Sequence, residues 1–461
     1  MTGSSTPMRG HALVIGASVA GLMAARALSA HYASVTLVER DEVADAVGPR
    51  KGVPQSRHAH GLLAGGREAA ERLFPGFTAD LLAGGALQGD LLADSRWFGH
   101  GIELARRPSG LVGLLASRPL IEAQIRRRVA ALPNVTLLAG RSVCALAADE
   151  TGKRVVGVRL DGGEDVLAAD LVVDATGRGS RSPAWLEGLG YAAAPEEAID
   201  VGICYTTRIF ERRAAKGAPI AVVVGASAPH WRFGVALAME GDRWIVTLGG
   251  YFGDAAPSDE DGFLAFARTI ETPALADLIA GARPVSDFAG YRFPGSRRRR
   301  YERLQHFPQG YLVFGDALCS FNPIYGQGMT SAILQAEALD LCLAQGQGQQ
   351  GQEQLARRFF AAAAGVIDTP WQMAAGADVS HPRLAGQAGW MQRLMNGYIV
   401  QLYRSAARDA SLAAEFLTVA NLMQKPSRLF APSVAWAVAK GALQRRPASD
   451  DAAGALSYRM R

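Results

Sequence analysis

The sequence has few cysteines, no long apolar run and no stripe of positive charge. Four cysteines occur in 461 residues, and they are too far apart for a CxxC pair or a metal-ligand spacing. We therefore expect reduced thiols in a cytoplasmic protein and no bound metal. No uninterrupted apolar segment reaches the roughly 18 residues of a membrane-spanning helix, so we expect no membrane span.

The charge pattern disfavours a further class of partner. Charged residues make up 20% of the chain and hydrophobic residues 49%, a balance that is ordinary for a globular protein. The net charge is +5, but the basic residues are dispersed among acidic ones without interleaved aromatics, which disfavours nucleic acid. A chain of this length is expected to form two or three domains that share a large core.

A strand–turn–helix–strand pattern near the start of the chain predicts a dinucleotide site. The apolar residues 12–15 favour a buried parallel strand, and residues 16–21 follow with GxGxxG spacing in which Ser18 replaces the second glycine. A helical pattern then leads to a second strand that ends on Glu39, 23 residues after Gly16.

Each part of this pattern has a physical role. Gly16 allows the tight turn out of the strand, and Gly21 lets the helix lie close to the sheet. The helix N-terminus offers unpaired N–H groups to a pyrophosphate, and a carboxylate at Glu39 accepts hydrogen bonds from a ribose diol. An apolar helix with incidental glycines is the alternative, but it leaves the carboxylate at this spacing unexplained. We therefore expect an adenine dinucleotide here.

A second glycine turn follows a predicted strand at residues 311–314. The strand delivers Gly315 and Asp316, and the sequence Gly-Gln-Gly at residues 326–328 then opens a helix. The N–H groups at the start of that helix are free for a polar partner. A glycine-rich connection without a ligand is the alternative reading of this segment.

Changes of residue pattern divide the chain into four predicted segments. Residues 1–190 and 285–345 are expected to form two parts of one nucleotide-binding domain. Four short β-rich runs between these parts predict an inserted antiparallel sheet, the substrate domain, over residues 191–284. Residues 346–461 are expected to be a helical region that caps the substrate, and its first residues belong to a polar low-complexity loop at 345–354.

These motifs resemble those of the FAD-dependent monooxygenases of the para-hydroxybenzoate hydroxylase fold. The closest likeness is to the actinobacterial branch that contains polyether-forming epoxidases, with squalene epoxidases more distant. The motifs that carry it are residues 16–21, Glu39-Arg40, KGVPQSRHAH at 51–60, DATGRGS at 174–180 and residues 315–329. The resemblance covers most of residues 12–345. It implies an α/β fold: a Rossmann-like FAD-binding domain with an inserted antiparallel β-sheet domain and a C-terminal helical region.

The resemblance also implies which residues contact FAD. The glycine turn would hold the pyrophosphate, Glu39 the adenosine ribose and Asp316 the ribityl side. The N-terminus of the second helix would point at the flavin N1–C2=O, where negative charge gathers on reduction. The full implied set is Gly16, Ser18, Val19, Ala20, Gly21, Glu39, Arg40, Arg118, Val143, Asp174, Gly177, Gly315, Asp316, Pro323, Gly326, Gln327, Gly328 and Met329.

The implied reaction belongs mainly to the cofactor. Reduced flavin and O2 would give a C4a-hydroperoxide, which transfers one oxygen atom to the substrate. We expect epoxidation or hydroxylation of an apolar olefinic or aromatic natural-product intermediate. Two alternatives share the fold: an FAD-dependent reductase acting on a carbon–carbon bond, as in geranylgeranyl reductases, and a non-redox cyclase with structural FAD. The tryptophan motif of flavin halogenases is absent, which disfavours halogenation.

One departure from the pattern concerns the source of electrons. Single-component hydroxylases of this fold usually have Asp-Gly where this chain has Thr176-Gly177, and the chain has no second GxGxxG unit. NAD(P)H is therefore expected to supply electrons either directly or through a separate flavin reductase.

The reacting face of the flavin is predicted to lie against Tyr325, Gln327 and the loop that carries Arg57, His58 and His60. The two histidines alternate along an extended segment and should face opposite ways, which makes them poor ligands for one metal. His58, His60 and Tyr325 are expected to donate hydrogen bonds and shield the oxygenating species, with one histidine donating a proton. The alternative is that both histidines only brace the loop.

Overall fold

A computed structural model describes residues 9–443, apart from 44–46, 164, 214–216, 347–350 and 352–353. Most of the predicted polar loop at 345–354, and the ends of the first and last predicted segments, lie outside the described residues.

The described part of the chain opens with a strand–helix–strand unit and ends in a run of helices. The strands are β1 Arg9–Ile15, β2 Tyr32–Val38, β3 Leu87–Asp90, β4 Ser95–Gly99, β5 Ile102–Glu103, β6 Val112–Leu115, β7 Val135–Leu138, β8 Val143–Ala148, β9 Val155–Leu160, β10 Val166–Ala168, β11 Leu171–Asp174, β12 Glu196–Glu211, β13 Ala221–Val224, β14 Arg232–Met239, β15 Arg243–Gly250, β16 Ala289–Arg299, β17 Tyr311–Val313 and β18 Cys319–Ser320. The helices are α1 Val19–Ser29, α2 Ala64–Leu73, α3 Phe77–Ala83, α4 Arg118–Ala130, α5 Ser182–Gly188, α6 Glu260–Ala267, α7 Ala274–Ile279, α8 Gly328–Gln345, α9 Leu355–Asp378, α10 Trp390–Ala406, α11 Ala410–Ala420 and α12 Pro432–Leu443.

A five-stranded parallel sheet, in the order β17-β11-β1-β2-β7, forms the predicted dinucleotide-binding unit. Residues 12–15 of β1 are fully or almost fully buried, which explains their continuous apolar pattern. The turn at Gly16 has φ +98°, a conformation that favours glycine. A Cβ atom on Gly21 would lie 1.7 Å from the carbonyl oxygen of Gly16, so only glycine allows α1 to approach the sheet this closely.

The second large sheet has eight strands in the order β18-β16-β12-β15-β14-β13-β4-β5. All four β-rich runs of the predicted insertion form strands, β12 to β15. The sheet also includes strands from outside residues 191–284. The 16 residues of β12 pair with β15 along one edge and with β16, at residues 289–299, along the other. At the far end β4 pairs in parallel with β13. The division into four segments remains a prediction.

The C-terminal helices close the side of the molecule that faces this sheet. Phe359 of α9 stacks on Phe314 at 5.8 Å, which anchors the helix beside the parallel sheet. Leu402, Leu412 and Leu417 are completely or almost completely buried in a cluster that includes residues near β4 and β5. Among the described residues, no helix is both long and apolar enough to cross a membrane.

Candidate functional site

A cavity of about 1440 Å³ lies where the parallel sheet, the eight-stranded sheet and the C-terminal helices meet. It begins at the carboxyl ends of β1 and β2, where open α/β sheets bind their ligands. Small-molecule pockets usually measure roughly 300–1,000 Å³. This cavity therefore has room for a dinucleotide and a second ligand.

The structure brings most of the predicted site residues to this cavity. Those lining it are Gly16, Ser18, Val19, Ala20, Glu39, Arg40, His60, Arg118, Val143, Gly177, Asp316, Pro323, Tyr325, Gly326, Gln327, Gly328 and Met329. The predicted residues that do not line it are Gly21, His58, Asp174 and Gly315. Each of these four has a structural position behind the cavity wall.

Glu39 is buried and held against the glycine turn. Its Oε2 accepts a hydrogen bond from the backbone nitrogen of Ala17 at 2.7 Å, and its Oε1 accepts one from Asp41 N at 3.1 Å. The guanidinium of Arg50 lies 3.5 Å from Oε2 and donates to the Ala17 carbonyl at 3.1 Å. The carboxylate and the turn are therefore fixed as one unit.

Arg50 and Glu122 hold the glycine turn from behind the cavity wall, and sequence reasoning missed both. Arg50 forms an ion pair with Glu122 at 2.6 Å, and Ser18 Oγ donates to Glu122 at 3.1 Å. Arg118 donates to the same Ser18 Oγ at 3.0 Å, and burial lowers the pKa of its guanidinium. Arg50 lies in an irregular loop and Glu122 lies inside a helix, so neither position carried a motif. The network places the Arg118 charge at the glycine turn.

The segment at residues 322–329, which we call the α8 turn, lines the cavity as the second predicted FAD contact beside the glycine turn. We call the part of the cavity between these two turns its cofactor side. Gly326 has φ +64°, and Gln327 occupies the N-cap of α8. The Gln327 Oε1 atom is buried without a hydrogen bond among the described residues. Gly315 lies behind this turn, where its nitrogen donates to Gln335 Oε1 at 2.9 Å. Burial raises the pKa of Asp316, partly opposed by Arg118 and Arg178.

Asp174 braces the chain rather than facing the cavity. Its side chain is fully buried, and Oδ1 accepts from both the nitrogen and the hydroxyl of Thr176 at 2.9 and 2.6 Å. Oδ2 accepts from the hydroxyls of Ser180 and Ser182. The prediction of a direct cofactor contact at Asp174 is not supported, because every one of these bonds holds the turn that presents Gly177.

The two histidines face opposite ways, as their alternation predicts. His58 is turned into the eight-stranded sheet, with Nδ1 at 2.8 Å from Thr207 Oγ1 and its ring 4.8 Å from that of Tyr205. Burial lowers the pKa of His58 to about 4. His58 itself does not line the cavity, but Tyr205 and Tyr291, whose rings lie against its own, do. A place for His58 at the reacting face therefore stays a prediction.

His60 lines the cavity in the neutral form. Its Nδ1 lies 2.9 Å from the His58 carbonyl oxygen, and burial lowers its pKa to about 3. Because a carbonyl only accepts hydrogen bonds, Nδ1 carries the ring proton and Nε2 is an acceptor. His60 is therefore placed to accept a hydrogen bond from a ligand, which disfavours the predicted donation of a proton.

The remainder of the cavity wall is largely apolar and aromatic. The sheet contributes Trp97, Phe98, Val223, Phe233, Val235 and Leu237, and the loop before β14 contributes Trp231. The helices contribute Met373, Met391, Met395, Ile399, Tyr403 and Phe416. No group of three or more His, Cys, Asp or Glu side chains in the described part of the chain has an arrangement that could hold a metal ion.

Comparison with known proteins identifies relatives over nearly the whole chain. The family described as pyridine nucleotide-disulphide oxidoreductase matches residues 10–228. Protein Rv3254 of Mycobacterium tuberculosis (strain ATCC 25618 / H37Rv) is 37% identical over 448 residues, which are 94% of each chain.

Solved structures of flavin enzymes share the fold. A triple mutant of the flavin-dependent brominase Bmp2 has a TM-score of 0.62 at 16% identity, covering 93% of this chain and 98% of its own. The p-nitrophenol 4-monooxygenase PnpA of Pseudomonas putida DLL-E4 has a TM-score of 0.61 at 18% identity, covering 90% and 99%. PqsL of Pseudomonas aeruginosa, described as a probable FAD-dependent monooxygenase, has a TM-score of 0.59 at 17% identity, covering 82% and 99%.

The fold of the chain is the fold of flavin-dependent monooxygenases of known structure. The predicted Rossmann-like α/β architecture is confirmed. The match to an oxidoreductase family and the fold of flavin enzymes agree with the prediction of FAD. The chain belongs to the same protein family as Protein Rv3254.

Proposed function

We propose that the protein is an FAD-dependent monooxygenase that inserts one oxygen atom from O2 into a large apolar small molecule, by epoxidation or hydroxylation. The observation that carries the proposal is the continuity of one cavity, from the glycine turn at one end to a wall of aromatic, aliphatic and methionine side chains at the other. An olefinic or aromatic natural-product intermediate fits such a wall, because its burial is favourable without many polar contacts.

The residues present fit FAD. The backbone at Gly326 and Gly328 borders open space, because a Cβ atom there would meet nothing closer than 3.9 Å. The buried Gln327 Oε1 has no hydrogen bond from the described residues. Glu39 would hold the adenosine ribose, Arg118 and the turn at Gly16 the pyrophosphate, and the α8 turn the isoalloxazine side. When bound and reduced, FAD supplies the reaction with O2.

The protein's own residues position the reactants and exclude water. Their apolar side chains replace water around the reacting centre, which strengthens every polar contact there. His60 offers Nε2 as an acceptor at the cavity wall, and Tyr325 offers a hydroxyl from the α8 turn. These side chains orient groups by hydrogen bonding and need not form covalent bonds.

We further propose that NAD(P)H is the electron source, directly or through a flavin reductase. Thr176 stands where related hydroxylases have aspartate, which motivates the second route. The measurement is anaerobic mixing of the FAD-loaded protein with NADPH and with NADH. Rapid stoichiometric bleaching of the flavin at cellular concentrations would exclude the need for a reductase partner.

The proposal is tested with the FAD-loaded protein, chemically reduced and mixed with ¹⁸O2 and one of three probes: squalene, geraniol or 4-hydroxybenzoate. Mass spectrometry should find one ¹⁸O atom in a product of at least one probe, with substrate-dependent O2 uptake. A product that gains two hydrogens and no ¹⁸O indicates a carbon–carbon reductase. A cyclised isomer formed without O2 uptake indicates a cyclase with structural FAD. Either of these two results overturns the proposal.

A further inference from the structure

A buried carboxylate lies directly behind the cofactor side of the cavity. Asp378 is the last residue of α9, and its side chain is completely buried. Its Oδ1 accepts hydrogen bonds from the Tyr251 hydroxyl at 2.7 Å, the Asn322 amide at 2.8 Å and the Tyr325 hydroxyl at 3.4 Å. One oxygen atom therefore joins the end of β15, the end of α9 and the α8 turn.

The second oxygen of the same carboxylate has no such partners. Asp378 Oδ2 is buried and accepts no hydrogen bond from the described residues. Buried carboxylates without full satisfaction are costly and are rarely retained for stability alone. Burial raises the pKa of Asp378 to about 6, and the three donors on Oδ1 oppose that rise. The ionised form therefore persists at neutral pH.

The direction of the Tyr325 hydrogen bond has a consequence for the cavity. A tyrosine hydroxyl has one proton to donate, and its oxygen also accepts hydrogen bonds. Because the Tyr325 proton is directed at Asp378, the Tyr325 oxygen is left as an acceptor. Asn322 is fixed in the same way, since its Oδ1 accepts from Ile324 N at 3.2 Å while its amide donates to Asp378.

Resting on the proposed function, we propose that Asp378 is a positioning residue that fixes the α8 turn beside FAD and keeps Tyr325 as a hydrogen-bond acceptor toward the cavity. The ligand group that lies against Tyr325 then carries an O–H or N–H donor. Protonation of Asp378 removes the charge that attracts the Tyr325 proton and frees that hydroxyl to donate into the cavity instead.

The neighbouring titratable groups are Tyr251, Tyr325, Tyr403 and His381. Burial raises the pKa of all three tyrosines, so they stay protonated at neutral pH. The His381 ring stacks on Tyr251 at 5.6 Å, and burial together with the charge of Arg383 lowers its pKa. The pKa of Asp378 is about 6, and substitution of His381 separates the effect of its ring from that of the carboxylate.

The test records the visible absorption spectrum of bound FAD from about pH 5 to about pH 8, the range in which a group with this pKa changes charge. The wild-type holoprotein should show a spectral transition with a midpoint near 6. Asp378→Asn and Tyr325→Phe should both retain FAD and lose the transition. His381→Gln, and Asp80→Asn at a partly buried ion pair with Arg128 that does not line the cavity, should keep it.

Persistence of the transition in either Asp378→Asn or Tyr325→Phe overturns the inference, as does its loss in His381→Gln. Tyr325→Phe removes only a hydroxyl, so it decides the question if Asp378→Asn does not fold. If the protein shows substrate-dependent O2 uptake but no pH transition, the role of Asp378 is refuted and the proposed function is not. A protein that releases no FAD on heating refutes the proposed function, and the role of Asp378 falls with it.

Discussion

The Oε2 atom of Glu39 lies 2.7 Å from the backbone nitrogen of Ala17, so the acidic residue that ends β2 is bonded directly to the glycine turn that begins α1. These two residues are 22 positions apart in the chain, and the parallel pairing of β1 with β2 brings them together. The same carboxylate therefore orders the turn and remains at the cavity wall for the ribose.

Replacing Glu39 with glutamine should weaken FAD binding. A hydrogen bond to a charged group contributes about 1.5–3 kcal/mol, which corresponds to a roughly 10- to 150-fold rise in Kd. The measurement is fluorescence titration of the apoprotein with FAD. Glu68→Gln, at a partly buried ion pair with Arg67 that does not line the cavity, is the matched control and should change Kd by less than about twofold. Equal affinity in the Glu39 variant and the control would remove Glu39 from the cofactor site.

Gly21→Ala should destabilise the fold and reduce FAD retention together. The new Cβ atom would lie 1.7 Å from the Gly16 oxygen, a backbone atom that cannot move aside cheaply. We expect the free energy of unfolding to fall by about 1–3 kcal/mol, the usual cost of overpacking. Urea denaturation measures it. Gly188→Ala is the control, because a Cβ atom there meets nothing within 4 Å.

Alanine at His58 and at His60 should have different effects. His58→Ala leaves the Thr207 hydroxyl without its imidazole partner inside the sheet and should cost about 1–3 kcal/mol of stability. His60→Ala changes the cavity wall and should raise the share of reduced flavin that ends as hydrogen peroxide. Peroxide and product are measured per reducing equivalent in variants that hold FAD. Unchanged coupling in His60→Ala would make His60 a structural residue as well.

Protein stability should fall as the pH is lowered from about 6.5 to about 4, partly because of His58. Its folded pKa is about 4, below the ordinary 6.5, so in this window the unfolded chain binds a proton that the folded chain does not. The slope from one such histidine is at most about 1.4 kcal/mol per pH unit.

The His58→Gln variant isolates this contribution to stability. Its free energy of unfolding should depend less steeply on pH than that of the wild type between about pH 5 and pH 6.5. His60 has the same sign of dependence and Asp378 the opposite sign, but both are present in the two proteins, so the difference reports His58. Parallel pH profiles would show that His58 is not kept neutral by the fold.

How far the sequence predicts the site depends on whether a residue's role is local. The glycine turn, the α8 turn and the strands β12 to β15 follow from short-range constraints on φ, apolar pattern and turn chemistry, and the structure has them where the pattern predicts. An alternating pair of histidines shows that the rings face opposite ways but not which ring faces the cavity, so only the tertiary structure assigns His60 to the cavity wall.

The sequence alone determined the α/β class and the dinucleotide unit of this protein, because the conformational requirement of Gly16 and the spacing to Glu39 are properties of the chain itself. Tertiary structure alone decided the rest of the site. The Arg50–Glu122 network and the Asp378 cluster join positions tens to more than a hundred residues apart, so no local pattern marks them. Burial then determines their chemistry: it lowers the pKa of His60 and raises that of Asp378, and burial exists only once the sheets and helices have packed.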